Sequence, residues 1–140
     1  MTVYNIYDET GRITQSNKLY NPEGYEASIR ELGHNFVAHA GDAPNNIERF
    51  FIQSAVLTER PIMPITISKT EIQAGGSDAA VFLGIPKNAK ITVTTSSMTI
   101  FSQAIPDTEF EVSIPVPCLY QITIDLWPFK TFATTIKATT

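Results

Sequence analysis

His34, His39 and Asp42 are the residues whose types and spacing come nearest to a metal site. A structural or catalytic zinc ion needs three or four ligands that converge on one point. The two histidines are five residues apart, and on a strand this spacing places their side chains on opposite faces of the sheet. We therefore interpret them as polar residues that bracket a strand, and we predict no metal ion here.

Other reactive residue types also lack the neighbours that catalysis requires. Cys118 follows a proline, and no serine lies in a nucleophile-elbow motif, so the cysteine is interpreted as a small apolar filler or a free thiol. Gly75 and Gly76 precede a predicted strand instead of a helix, which does not fit a phosphate-binding loop. The sequence thus predicts no catalytic residue and no cofactor, and we expect the protein not to be an enzyme.

Asp107, Glu109 and Glu111 alternate along a predicted strand and would share one face of it. Such carboxylates could bind a hard cation, but a calcium loop needs more oxygen ligands and a tight glycine turn. We therefore favour a solvated strand edge whose charges resist sheet-to-sheet aggregation.

The aromatic residues allow two interpretations. Residues 127–129, which include Trp127, and the pair Phe50 and Phe51 are predicted to pack in the core or between modules. The alternative is a platform for a sugar, in which exposed aromatic rings such as Tyr25 or Trp127 would bind a host surface glycan.

Composition excludes several function classes. Charged residues make up 17% of the 140-residue chain, below the roughly 25% of an average soluble protein. The net charge is −4, and no basic cluster is present, so we expect no binding to nucleic acid. No apolar run is long enough for a membrane span, and the first residues do not fit a signal peptide. The single cysteine cannot form an internal disulfide.

The distribution of arginine and proline suggests two modules. All four arginines lie at or before Arg60. Pro61 follows directly, and Pro64 comes three residues later. Because proline stiffens the chain and removes backbone donors, residues 61–64 are predicted to be a short linker. Residues 1–60 then form a small α+β module with a hairpin, one helix and further strands, and residues 65–140 form a β-sandwich.

One helix is predicted in the first module. Asn21 suits the N-cap, and Pro22 suits the first helical position. Tyr25, Ile29 and Leu32 would form one apolar stripe, and Gly33 would end the helix.

The second module shows short strands at even intervals with turns between them, a pattern typical of an immunoglobulin-like antiparallel sandwich. The antibody-type arrangement of two cysteines around a tryptophan is absent. Tyr120 begins a long strand just after a turn. It is therefore predicted to form a tyrosine corner, in which the hydroxyl bonds back to the main chain. The fold class is thus mainly β.

Taken together, these segments resemble small tail-associated structural proteins of tailed bacteriophages with a C-terminal immunoglobulin-like module. The first half carries the resemblance in residues 4–13 and 49–52 and in the Arg60-Pro61 exit. The second half carries it in residues 68–81, 84–89, 117–122 and 127–129. In that family the position of Cys118 is usually glycine.

The resemblance implies a non-enzymatic component of the virion, assembled in the host cytoplasm and placed in the tail or tail-fibre apparatus. Its partners would be other virion proteins, contacted by several symmetry-related copies of this chain, with no nucleic acid and no membrane involved. A capsid decoration or cement protein is the second expectation, and a module that binds host glycan is the third. The motifs of the resemblance are turns and strand ends, so it implies no catalytic residue.

Overall fold

The computed structural model describes residues 1–44 and 46–140. Their contacts divide the chain into two units, Met1–Arg60 and Pro61–Thr140. Strands account for 49% of the residues and helix for 7%, and most of the strands form antiparallel sheets. The prediction of a mainly β fold is confirmed.

The first unit is built around strand β1 (Thr2–Tyr7), which lies between β2 (Ile13–Leu19) and β3 (Asn35–Ala40) and is antiparallel to both. The turn from β1 to β2 is closed by Asp8, whose Oδ1 accepts hydrogen bonds from the backbone N–H groups of Thr10 (2.9 Å) and Arg12 (3.0 Å). The predicted hairpin is therefore present.

Helix α1 (Tyr25–Glu31) begins later than the sequence predicted. Gly24 precedes it with a φ of 79°, a left-handed conformation that cannot belong to a right-handed helix. The Pro22 carbonyl instead closes a turn by accepting the Tyr25 N–H at 2.9 Å. The assignment of Asn21 as N-cap and Pro22 as first helical residue is wrong because the chain turns once more at Gly24.

The apolar stripe of α1 is narrower than predicted. Ile29 is buried and Tyr25 packs against it, but Leu32 is 73% exposed and lies at the C-cap. Gly33 has a φ of 79° and its N–H bonds to the Arg30 carbonyl, so the predicted end of the helix is present.

The remainder of the first unit is a short 3₁₀ turn (Ile47–Arg49) followed by the hairpin of β4 (Phe50–Gln53) and β5 (Val56–Glu59). One isolated bridge between Arg12 and Phe51 joins β4 to the start of β2. The 3₁₀ turn was not predicted.

The second unit contains two sheets. A five-stranded sheet has the order β10-β9-β12-β13-β7, and a three-stranded sheet has the order β11-β8-β6. All pairs are antiparallel except β13 with β7. The strands are β6 (Thr66–Ile67), β7 (Glu71–Gln73), β8 (Ala80–Leu83), β9 (Lys90–Thr94), β10 (Thr99–Ala104), β11 (Glu109–Val112), β12 (Cys118–Asp125) and β13 (Phe132–Thr139).

Both sheets contribute to one apolar core. Phe82 of β8 is fully buried, as are Ile91 of β9 and Ile122 of β12. Along β12 the residues alternate between buried and more exposed, as the sequence predicted for a strand with one face in the core.

Residues 61–64, predicted to be a linker, are packed as part of the second unit. Met63 is 4% exposed and belongs to the core of that unit. The Pro61 carbonyl accepts the Lys130 N–H at 2.8 Å. The main chain at Pro64 passes so close to Gly84 that a Cβ at Gly84 would overlap the Pro64 carbonyl.

Tyr120 is 5% exposed near the start of β12, and its hydroxyl donates to the Val116 carbonyl at 3.1 Å. A hydrogen bond of this kind at this place is a feature of immunoglobulin-like sandwiches. Burial raises the pKa of Tyr120 above its usual value of 10.0. The Tyr120 hydrogen bond supports an immunoglobulin-like sandwich. The mainly β fold is confirmed, and the immunoglobulin-like type of sandwich stays a prediction.

Candidate interaction surface

The structure does not assemble the histidine and aspartate residues into a metal site. His34 precedes β3 and His39 lies within it, with Nδ1 3.0 Å from the Ala40 carbonyl oxygen. Asp42 pairs with Lys18, which lowers the pKa of the carboxyl group through a side-chain hydrogen bond. Within residues 1–44 and 46–140, no three His, Cys, Asp or Glu side chains are placed to hold one metal ion.

The other candidates for chemistry occupy structural positions. Cys118 is half-buried at the start of β12 and packs against the core. The two glycines lie in the turn between β7 and β8, where the Gly75 N–H donates to the Ile114 carbonyl at 3.1 Å. Glu109 and Glu111 are exposed on β11, an edge strand of the three-stranded sheet.

The aromatic residues named for a sugar platform are only half-exposed. Tyr25 makes an edge-on ring contact with Tyr4 at a centroid distance of 4.9 Å, and its hydroxyl accepts a hydrogen bond from Asn17 Nδ2 at 2.9 Å. Trp127 is also half-buried, and Phe129 packs against the core of the second unit. Tyr25 is thus held by packing and a hydrogen bond within the first unit.

A different surface combines exposure with an absence of charge. Residues 91–106 contain no Asp, Glu, Lys, Arg or His, and they form most of β9, all of β10 and the turn between them. We call this segment the neutral hairpin. Strand β10 is the outermost strand of the five-stranded sheet, so one side of its backbone has no neighbouring strand in this sheet.

Local hydrogen bonds shape the turn of the neutral hairpin. The Thr95 N–H donates to the Met98 carbonyl at 2.8 Å, and Thr95 Oγ1 accepts from the N–H groups of Ser97 and Met98 at 3.3 and 3.2 Å. These hydrogen bonds satisfy the backbone donors of the turn and fix its shape. The Met98 side chain is 62% exposed in this turn.

A β-bulge follows this turn. The register between β9 and β10 shifts at residues 99–101, so that Ile100 is the extra residue. Ile100 remains 48% exposed, and beyond it residues 101–104 pair regularly with β9. The exposed edge therefore begins with two large apolar side chains, Met98 and Ile100, and continues as regular strand.

An apolar opening lies beside this edge, between β10 and β11. It has a volume of about 140 Å³ and its lining is mostly apolar, with Ile100, Phe101, Phe110 and Ile114 among the residues. Glu111 and Ser113 add a carboxylate and a hydroxyl to this lining. The rings of Phe101 and Phe110 contact each other at a centroid distance of 5.4 Å. The two sheets thus leave part of their shared core open on the side of the neutral hairpin.

The outer face of the five-stranded sheet continues the uncharged surface. Thr92 of β9 lies opposite Ser102 of β10, with hydroxyl oxygens 3.3 Å apart. A depression of about 410 Å³ between the turn and the next strands is lined by Thr95, Ser96, Leu119, Gln121 and Thr135. These side chains offer hydroxyl, amide and apolar groups but no charge.

The composition shows a low fraction of charged residues for the whole chain but not where on the surface they are missing. The sequence does contain a signal for the uncharged segment, since the sixteen residues between Lys90 and Asp107 have no ionisable side chain. That this run forms an edge strand depends on the order of the strands, which is set by pairing between distant segments.

Comparisons with known proteins found no match to this chain: no family model matches it, and no curated protein or solved structure matches it significantly. None of the described helices is long and apolar enough to cross a membrane.

Proposed function

We propose that this chain is a non-enzymatic structural protein that acts through protein–protein contacts made by the neutral hairpin and the adjoining sheet face. The observation that carries the proposal is the long uncharged edge strand β10, with Met98 and Ile100 exposed at its start. Charged side chains are depleted in the cores of protein interfaces, because each would lose hydration on binding.

The composition of the remaining surface supports the same function. The net charge of −4 is carried outside the neutral hairpin, for example by the exposed Glu109 and Glu111 on β11. Charge distributed around an uncharged patch keeps the protein soluble while leaving one region free to bind. The neutral hairpin is therefore less charged than the surface around it, as the core of a protein interface is.

We place this function in a bacteriophage particle, as a component of the tail or its fibres. The support is the resemblance of residues 4–13, 68–81 and 84–89 to tail-associated proteins. A decoration protein on the capsid is the alternative location, and it would use the same contact surface. Both locations place many copies of the chain close together, so that weak individual contacts add up.

Immunogold labelling of purified particles tests this function. Antibodies against the chain should label the tail of intact particles, and labelling of the head would favour the decoration alternative. Particles that carry no label and yield no trace of the chain on denaturing gels would contradict the proposal. Antibodies preabsorbed with the purified chain serve as the control.

A further inference from the structure

The edge of the five-stranded sheet points to a second copy of this chain as its partner. We propose that β10 pairs antiparallel with β10 of a second copy, so that two five-stranded sheets join into one continuous sheet across a two-fold axis. This inference rests on the proposed function and names the partner of its contact surface.

The backbone of β10 provides the bonding groups for such a pair. Alternate N–H and C=O groups of an edge strand point away from its sheet, and an added strand satisfies them. Proteins commonly block this by placing charges or proline on their edges. Within β10 there is neither, and residues 101–104 keep a regular register with β9.

Charge and length together distinguish β10 from most other sheet edges in the described part of the chain. Strand β4 is also uncharged, but it has only four residues and is bridged to Arg12 through Phe51. In an antiparallel pair about a two-fold axis, a residue near the strand centre lies close to its own symmetry mate, so a charge there would repel itself. Edge strand β11 carries Glu109 and Glu111, and β2 carries Lys18. Strand β7 has three residues, including Glu71, and β6 has only two.

Strand β3 of the first unit is the informative exception. It matches β10 in length and has no carboxylate, lysine or arginine, although it carries His39. The depression beside it is lined by polar and charged side chains, among them Arg30 and His34. Beside β10, by contrast, most of the lining is apolar, including Ile100, Phe101 and Phe110, and Glu111 is its one charged residue.

The apolar opening provides a second reason for a partner at this edge. A strand added to β10 extends the five-stranded sheet past the gap between β10 and β11. Inward-facing side chains of the added strand would then cover the exposed parts of Ile100 and Phe101. Burial of apolar surface adds to the main-chain hydrogen bonds, which alone set pairing but little specificity.

Sedimentation velocity across a concentration series tests this pairing in the full-length chain. The key variants are Ser102→Lys and Ser102→Glu, because Ser102 is exposed and lies next to the centre of β10. The matched control is Ala38→Lys, which adds the same charge to an exposed position of β3. Circular dichroism of each variant checks that the fold is retained.

The wild type should dimerise with rising concentration, and Ala38→Lys should behave like it. Each Ser102 variant alone should raise the dimer dissociation constant at least about tenfold through like-charge repulsion. An equimolar mixture of the two Ser102 variants should restore dimers, because lysine then faces glutamate. Recovery in the mixture cannot arise from a variant that merely fails to fold.

Three results would overturn the pairing. These are a wild type that stays monomeric at the highest concentration, Ser102 variants that dimerise as well as the wild type, and a mixture that does not recover. A monomeric wild type found in labelled particles would refute the pairing but not the proposed function. Dimers of a chain that is absent from particles would refute the function but not the pairing.

Discussion

The two units differ in how much apolar core each contains. The second unit encloses a connected cluster of fifteen buried residues, whereas the cluster described in the first unit has three, Tyr4, Ile6 and Ile29. The other buried apolar residues of the first unit lie outside that cluster: Val3, Ile13, Phe51 and Ile52. The first unit also buries Asn5 completely. Its Oδ1 accepts a hydrogen bond from Ser16 at 2.7 Å, whereas its Nδ2 has no hydrogen-bond partner among the described residues. The second unit therefore has the larger connected apolar core, while the first divides its buried apolar residues and also buries a polar amide.

Removing the largest fully buried side chain of the second unit should produce the largest effect. Phe82 is fully buried in the second unit, so Phe82→Ala should lower the free energy of unfolding of that unit by about 3–5 kcal/mol. The neighbouring Leu83 is 47% exposed, and Leu83→Ala should change the free energy of unfolding by less than about 0.5 kcal/mol. Urea unfolding followed by Trp127 fluorescence measures both. Equal losses for the two variants would contradict the assignment of the core.

A glycine in each unit is required by a close backbone approach. Gly84 has a φ of 80°, and a Cβ there would overlap the Pro64 carbonyl oxygen. Gly11 has a φ of 85°, and a Cβ there would overlap the Ile52 carbonyl oxygen. Gly84→Ala and Gly11→Ala should each cost about 2–4 kcal/mol, through strain and displaced main chain.

Gly76→Ala is the matched control for both glycines. Gly76 has a φ of 84° but nothing within 4 Å of a Cβ, so the substitution should cost only the left-handed strain of about 1–2 kcal/mol. Thermal unfolding ranks the three variants. If Gly76→Ala were as destabilising as the other two, the close approaches would not be the cause.

The tyrosine hydroxyl bonds provide a smaller comparison between the units. Tyr120→Phe leaves the Val116 carbonyl without its donor and should cost about 1 kcal/mol. Tyr4→Phe removes a longer bond, 3.3 Å to Glu26 Oε1, and should cost less. Because the pKa of Tyr120 is raised in the fold, its contribution is complete below pH 10.0 and is lost as the pH rises above that value. An unchanged melting temperature for Tyr120→Phe would rule out the tyrosine corner.

The smallest expected change in stability concerns Asp78, whose side chain bonds to residues on the other side of its loop. Asp78 pairs with Lys69, and its Oδ2 accepts the Gln73 N–H at 2.8 Å. The Lys69 hydrogen bond, followed by that of Gln73, lowers the pKa of Asp78 below 3.8. Its stabilising contribution is therefore present above pH 3.8 and is lost as the pH falls below that value.

Asp78→Asn should accordingly melt a little below the wild type at neutral pH, and the difference should vanish in acid. Melting temperatures across a pH series measure this. Asp107→Asn, a change at an exposed position before β11, should follow the wild-type curve. A difference for Asp78→Asn that persisted unchanged in acid would show that the charge does not matter.

Local patterns predicted the elements whose contacts are close in sequence. Gly11 and Asp8 mark the first hairpin, and the alternation of Tyr120 and Ile122 gives the buried face of β12. The start of α1 was missed because Gly24 turns the chain where Pro22 suggested a helix. Pro22 favours the first turn of a helix, whereas Gly24 favours a left-handed turn, and the structure contains the turn.

Pairing between distant segments was not predictable from one sequence. The parallel pair of β7 and β13 joins Ile72 to Ala138, and nothing near either residue specifies the other. The packing of Met63 into the core of the second unit likewise overrode the stiff linker that Pro61 and Pro64 suggested. The edge position of β10, on which the contact surface depends, belongs to the same class of long-range facts.

Hydrogen exchange of the β10 amides at low and high protein concentration tests the central claim most directly. If β10 pairs with β10 of a second copy, alternate amides of residues 99–104 should exchange more slowly in concentrated solution, while the amides of β3 remain unchanged. The same exchange rates for β10 at both concentrations, with slowing elsewhere or nowhere, would contradict the pairing.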